Sequence, residues 1–239
     1  MKLERKQGFY EKCVKRALDI ICSLLFIILF CWLYLIIAIV VRVKMGSPVL
    51  FKQPRPGIVK NGKETIFDMY KFRTMTNAKD ASGNLLPDDQ RLPKFGAMLR
   101  STSLDELPEV FCILKGDMSV IGPRPQLVRD MVFMSDEQRM RHTAKPGLTG
   151  LAQVMGRNAI TWEEKLDWDL KYIDKVSFLS DVKILVQTII AVFNRSGITD
   201  GENATALDYG DALLKAGRIN KEQYDSLQAE ARCILEERA

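Results

Sequence analysis

The run IICSLLFIILFCWLYLIIAIVV, residues 20–41, decides how the rest of the chain is read. It holds no charged residue, no Gly and no Pro. As a helix its 22 residues reach roughly 33 Å, enough to cross the hydrocarbon core of a bilayer. It is too long for the apolar region of a cleavable signal peptide, and no small-residue cleavage site follows it. A core helix of a soluble protein rarely stays apolar on every face at this length. The run therefore reads as a membrane segment. Lys2, Arg5, Lys6, Lys12, Lys15 and Arg16 precede it; Arg42, Lys44, Lys52, Arg55, Lys60 and Lys63 follow it. Positive residues favour the cytoplasmic side, so both flanks claim the same side. A segment that dips into one leaflet and returns keeps both beside anionic lipid. A straight span is the alternative, because nothing in the run is an obvious helix breaker.

The composition sets outer bounds. A chain of 239 residues, 47% hydrophobic and 27% charged, is globular and long enough for one sizeable domain with appendages. The net charge of +5 suits an anionic partner without choosing among lipid, nucleotide and nucleic acid. Five cysteines with no C-x-x-C pair argue against a disulfide framework or a zinc site, and for a reducing compartment. His142 is the only histidine, which leaves acid–base work to carboxylates.

Outward from the membrane segment, Pro48–Gln53 reads as a strand, Lys60-Asn61-Gly62-Lys63 as a hairpin turn, and Thr65–Arg73 as the returning strand. Alternation puts Met69, Lys71 and Arg73 on one face. That face is either a solvated charged surface or a pair of cations aimed at a phosphate. Residues 77–91 form a polar loop, and helices are expected over Asp88–Arg100 and Leu104–Leu114, the second stopped by Gly116. Gly122-Pro123-Arg124-Pro125 is a stiff turn, and Pro146–Gly156, with its spaced glycines, reads as a loop. Trp162–Lys175 and Ser180–Phe193 read as helices, the latter apolar enough for the core or the membrane interface. Ala204–Lys215 and Lys221–Arg238 make a helical hairpin, with Asn220 and Gln223 as a capping pair. The fold class is mainly α with a small β-hairpin (α+β). It divides into a membrane helix (1–45), a catalytic domain (46–198) and a helical tail for docking or self-association (199–239).

The chemistry centres on Ser103-Leu104-Asp105-Glu106-Leu107-Pro108. Ser103 and Glu106 match an ordinary capping box, and acids favour a helix start. A cap at Ser103, however, would put Pro108 inside the helix, where its missing N–H begins to cost. The functional reading is a carboxylate that attacks phosphorus and splits one displacement into two. Such an attack on an anionic diphosphate needs cations. Mg²⁺ held by a carboxylate and substrate phosphates supplies one. Arg100 and Arg124 suit bidentate phosphate contacts, and Lys71 suits a point charge. No P-loop and no G-x-G-x-x-G occurs, which disfavours the common ATP and dinucleotide chemistries.

Taken in order, Lys71-Phe72-Arg73-Thr74-Met75, Arg100–Pro108, Leu114–Ser119, Gly122–Pro125, Pro146–Gly150 and Ala152–Asn158 resemble the bacterial sugar transferase family. The likeness is to its small monotopic phosphoglycosyl transferases of the PglC type, and it covers about Tyr10 to Gly197. The resemblance implies a two-step reaction. Asp105 would attack the sugar-linked phosphate of a UDP-sugar and release UMP; the phosphosugar would then pass to undecaprenyl phosphate. Asp105 would also carry Mg²⁺, and Glu106 would assist. Lys71, Arg73, Arg100, Arg124, Arg157 and Asn158 would bind substrate. The PglC type implies an N-acetylated amino sugar, with a hexose as the alternative. The family also implies a re-entrant helix and interfacial amphipathic helices, entering the bacterial inner membrane from its cytoplasmic face. It usually breaks that helix at Ser-Pro, where this chain has Cys31-Trp32. A membrane-anchored scaffold is the competing reading; it would need no Mg²⁺ and release no UMP. Nucleic acid is not an expected partner, since no recognised module for it is present.

Overall fold

The computed structural model describes residues 3–156, 160–193 and 207–238. It is mainly helical, with one antiparallel strand pair and one short parallel pair. A π-helical turn at Tyr10–Val14 leads into α1 (Lys15–Met45). This helix runs unbroken through Cys31-Trp32, so the break the family resemblance leads one to expect is absent. Without Pro or Gly there, nothing removes a donor from the hydrogen-bond ladder.

Both ends of α1 nevertheless rest on the same body. Arg16 donates to the carbonyls of Ile113 and Leu114 at 2.7 and 2.8 Å, and Tyr34 Oη to that of Leu107 at 2.7 Å. Asp19 accepts from Ser119 Oγ and the Val120 N–H, while Ile37 and Val41 pack with Phe72 and Leu99. Arg16 and Tyr34 stand about 27 Å apart along a straight axis, yet the acceptors they reach are only about 10 Å apart along a helix. The two side chains must therefore reach inward or the axis must bow. Between them Leu25, Ile28, Leu29 and Trp32 each expose more than half of their surface.

Strands β1 (Leu50–Lys60) and β2 (Lys63–Phe72) form the antiparallel ribbon. Asn61 and Gly62 close it with φ of 53° and 78°, the left-handed pair a tight hairpin requires. The helix expected over Asp88–Arg100 divides into α2 (Asp88–Arg91) and α3 (Lys94–Ser101), because Pro93 forces Leu92 into an extended conformation. Leu104–Leu114 divides too, into a 3-10 turn at Leu104–Glu106 and α4 (Glu109–Lys115), with Pro108 just before the first turn.

Beyond α4 come β3 (Ser119–Ile121), α5 (Val128–Met131), α6 (Asp136–Arg139), β4 (Gly147–Thr149) and α7 (Leu151–Met155). The segment 146–156 is thus a strand and a helix, not the expected loop. Its glycines serve close approach: a Cβ on Gly147 would fall 2.1 Å from the Gly122 nitrogen, where β4 runs parallel to β3. Helix α8 (Trp162–Asp174) starts at a Thr161–Glu164 capping box, and α9 (Phe178–Phe193) follows with Leu179, Val182, Val186 and Ile190 exposed.

The tail forms α10 (Tyr209–Lys215) and α11 (Lys221–Glu236), with the Asn220–Gln223 capping box in place. It docks on its own chain. Tyr209, Leu213 and Ala231 share a buried cluster with Val128, Met131, Phe133 and Leu166. The Tyr209 N–H donates to Asp130 at 2.9 Å, and Arg238 pairs with Asp68 of β2 at 2.9 Å. The expected boundary at 198–199 lies outside the described residues.

Candidate active site

The hairpin and α4 sandwich Phe67, Met69, Cys112, Ile113 and Met118 between them. That packing brings β2 against the turn holding the two adjacent carboxylates. Ser103 takes a left-handed φ of 55° and caps nothing, so the capping-box explanation of Ser103 and Glu106 fails. Glu106 instead points into a cluster of charges. Lys71 Nζ lies 2.7 Å from Glu106 Oε1 and 3.4 Å from Glu109 Oε1. Arg124 Nη1 lies 3.2 Å from Glu109 Oε2 and Nη2 pairs with Glu106 Oε1.

Glu109 is sealed, with no exposed side-chain surface, whereas Glu106 keeps a quarter of its own. Burial works against ionisation at both. At Glu106 it is outweighed by Arg124 and Lys71, which hold the carboxyl down at about 2. At Glu109 burial prevails over Arg124, and the charge of Glu106 adds to it, so its pKa is raised.

Asp105 differs from both. It is 8% exposed, and among the described residues no other side chain donates a hydrogen bond to it or pairs with it. Burial first, and then the charge of Glu106, push its pKa up to about 6 against the pull of Lys71 and Arg100. Arg100 reaches this neighbourhood from the last turn of α3, its Nε donating to Thr74 Oγ1 at 3.0 Å.

Of the expected site residues, Asp105, Glu106, Lys71, Arg100 and Arg124 come together. Arg73 does not join them. Arg73 is 6% exposed, and its guanidinium donates to the carbonyls of Met45 and Ser47, closing the C-terminal end of α1. Alternation placed it with Lys71, but β2 ends at Phe72, and beyond it the side chain follows the helix end instead. Arg157 and Asn158 lie outside the described residues.

Glu109 was missed because the reading stopped at Pro108. Arg141 and Asp169 were missed because they are remote in sequence. Arg141, 1% exposed, donates to Asp169 Oδ2 from Nε at 2.9 Å and from Nη2 at 2.6 Å, and to the Arg124 carbonyl at 2.6 Å. A buried ion pair thus fixes the backbone of the Pro-Arg-Pro turn.

Residues 10–195 match the family model described as bacterial sugar transferase. The chain belongs to the bacterial sugar transferase family. Among its relatives the sugar transferase EpsL of Bacillus subtilis (strain 168) is 46% identical over 193 residues, covering 81% of this chain and 94% of EpsL. The UDP-glucose:undecaprenyl-phosphate glucose-1-phosphate transferase of Klebsiella pneumoniae is 40% identical over 189 residues, 75% of this chain and 40% of that protein. The galactosyl transferase CpsE of Streptococcus agalactiae serotype III (strain NEM316) is 38% identical over 197 residues, 77% of this chain and 43% of CpsE. This sugar transferase therefore spans nearly all of EpsL but less than half of the other two. Its tail α10–α11 falls beyond the family match.

Proposed function

We propose that this sugar transferase moves a sugar 1-phosphate from a UDP-sugar to undecaprenyl phosphate through a covalent aspartyl phosphosugar, releasing UMP. One observation carries the reading. Among the described residues Asp105 is a buried carboxylate that no other side chain donates to or pairs with, beside two cations, Lys71 and Arg124, already matched to Glu106 and Glu109. Its carboxylate takes a hydrogen bond from its own backbone N–H, which leaves lone pairs available for attack, and a pKa near 6 leaves it ionised at neutral pH. Names of relatives that act on undecaprenyl phosphate support the reaction class.

In the first step an Asp105 oxygen bonds to the sugar-linked phosphorus, and the bond from phosphorus to the bridging oxygen breaks. Lys71 and Arg124 take phosphate oxygens as Glu106 releases them, while Glu109 keeps both cations in place. In the second step an oxygen of the lipid phosphate displaces Asp105.

The donor set suits Mg²⁺. Asp105 offers an unshared carboxylate, and among the described residues no group of three or more His, Cys, Asp or Glu could hold a metal. An ion held by Asp105 would need its other ligands from substrate phosphates and water, as suits Mg²⁺. Bound at Asp105, it would neutralise the diphosphate.

The donor sugar has two candidates. The PglC-type resemblance favours an N-acetylated amino sugar, whereas relatives named for glucose and galactose favour a hexose. The two anchored ends of α1 and its exposed middle support insertion from one face of the inner membrane, with the site on the cytoplasmic side. UMP release from a panel of UDP-sugars, with undecaprenyl phosphate and Mg²⁺, tests the whole. Release that needs the lipid, the metal and Asp105 is the expected result; release unaffected by Asp105→Asn would sink the assignment.

A further inference from the structure

Arg55 lies on the same face of the ribbon as Lys71. Phe51 pairs with Lys71, Gln53 with Met69 and Arg55 with Phe67, and residues two apart on a strand share a face with their direct partners. The two cations are committed differently. Lys71 is matched to carboxylates. Arg55 has only neutral acceptors: Nη1 donates to the Pro125 carbonyl at 3.2 Å and Nη2 to Gln53 Oε1 at 2.7 Å. Its Nε is buried with no partner. Among the described residues it forms no ion pair. Burial and the neighbouring Arg124 cation bring its guanidinium down to about 10, despite opposing fields from Asp130, Glu109 and Glu106. A half-buried cation without a counter-ion is a place for an anion.

The charges also have an order. Lys71 pairs with Glu106, the residue next to Asp105. Arg55 stands opposite Phe67, four residues or about 13 Å along the ribbon from Lys71, and donates to the carbonyl of Pro125, the residue after Arg124. Arg55 therefore sits on the Arg124 side of the cluster, farther from the nucleophile than Lys71. A diphosphate whose sugar-linked phosphorus meets Asp105 extends its other phosphate that way. Resting on the reaction proposed above, we propose that Arg55 binds the nucleoside-side phosphate of the donor, the group that leaves as UMP. When the Asp105 oxygen bonds to phosphorus, the electron pair of the broken bond stays on the bridging oxygen. Arg55 faces the phosphate that gains this charge and transfers no proton.

The test compares inhibition by UMP and by uridine, which differ only in the phosphate, using the full chain in lipid and following labelled sugar transfer to undecaprenyl phosphate. Arg55→Gln is expected to raise the inhibition constant for UMP at least tenfold while that for uridine stays within threefold. Arg55→Lys, which keeps the charge but not the fork, should recover part of the difference. If UMP and uridine inhibit Arg55→Gln as they do the parent, or weaken together, the proposal is overturned, and Arg55 is only a brace for Pro125. Calorimetric binding of UMP and uridine reads the same ratio without turnover. A parent protein that binds UMP but makes no product would therefore count against the reaction and not against Arg55.

Discussion

Lys71 Nζ sits 2.7 Å from Glu106 Oε1, so one ion pair ties the β-hairpin to the turn that carries Asp105. Arg124 shares the same carboxylate oxygen. Glu106 is thus the hub that joins Lys71 and Arg124 to the turn carrying Asp105, the proposed nucleophile. Its charge also raises the pKa of Asp105, second only to burial. Glu106→Gln removes that charge, so the acid limb of kcat/KM, expected near pH 6 in the parent, should move to lower pH. Turnover should also fall at least tenfold, because Lys71 and Arg124 lose a partner that orients them. A pH profile between 5 and 8 reads both effects; an unmoved acid limb would detach Asp105 from the titration.

Asp105→Asn should abolish turnover without unfolding the protein. An acid whose folded-state pKa is raised favours folding while protonated, and that contribution is lost as pH rises from about 4 to about 6. Above that window the buried charge is a standing cost, on the order of 1–3 kcal/mol for a shift of this size. The neutral amide escapes it. At pH 7.5 the melting temperature of Asp105→Asn should equal or exceed that of the parent, and the gap should close toward pH 4.5. Thermal unfolding at both values checks this; a variant markedly less stable at pH 7.5 would mean that Asp105 has a structural partner.

Local signals in the sequence were legible where one residue acts alone. Asn61-Gly62 marked the hairpin, Gly116 the end of α4, and Asn220 with Gln223 the start of α11. Prolines were legible as breakers, but their reach was understated: Pro93 and Pro108 each divided an expected helix. What stayed hidden depends on distant partners. Gly147 looked like a loop residue because the strand pair it permits joins segments about 25 residues apart. Arg73 looked like a site residue because alternation is blind to the helix end that claims it. Glu109 and Arg55 carried no signal of their own; only the ribbon register and the packing of α4 bring them to Arg124.

The tail should prove a stabilising part of the same folded unit. Leu213 is 7% exposed within the cluster that holds Phe133 and Leu166. Leu213→Ala should cost about 2–5 kcal/mol and lower the melting temperature, whereas Arg238→Ala should cost about 0–1 kcal/mol, because its pair with Asp68 is partly solvated. Docking within one chain also makes the melting temperature independent of protein concentration. A melting temperature that rises with concentration would favour exchange of the tail between copies.

The last prediction concerns α1. Its N-terminal turns bury Lys15 and Asp19 against Asp181 and Ser119, and its C-terminal turns bury Ile37 and Val41 against Phe72 and Leu99. One body cannot hold both ends across the full thickness of a bilayer unless it is itself embedded, and the hairpin tip beside it is charged and exposed at Lys60 and Lys63. Both flanks should therefore face one compartment. In a background with the native cysteines replaced by serine, Lys6→Cys and Lys63→Cys place thiols at exposed positions on either side of the apolar run. A membrane-impermeant maleimide should label both in inverted membrane vesicles and neither in intact spheroplasts. Labelling of one in each preparation would mean that α1 crosses the bilayer and that its contacts with the domain give way in the membrane. Labelling of both from the outside would place the active site on the wrong face for a cytoplasmic nucleotide donor.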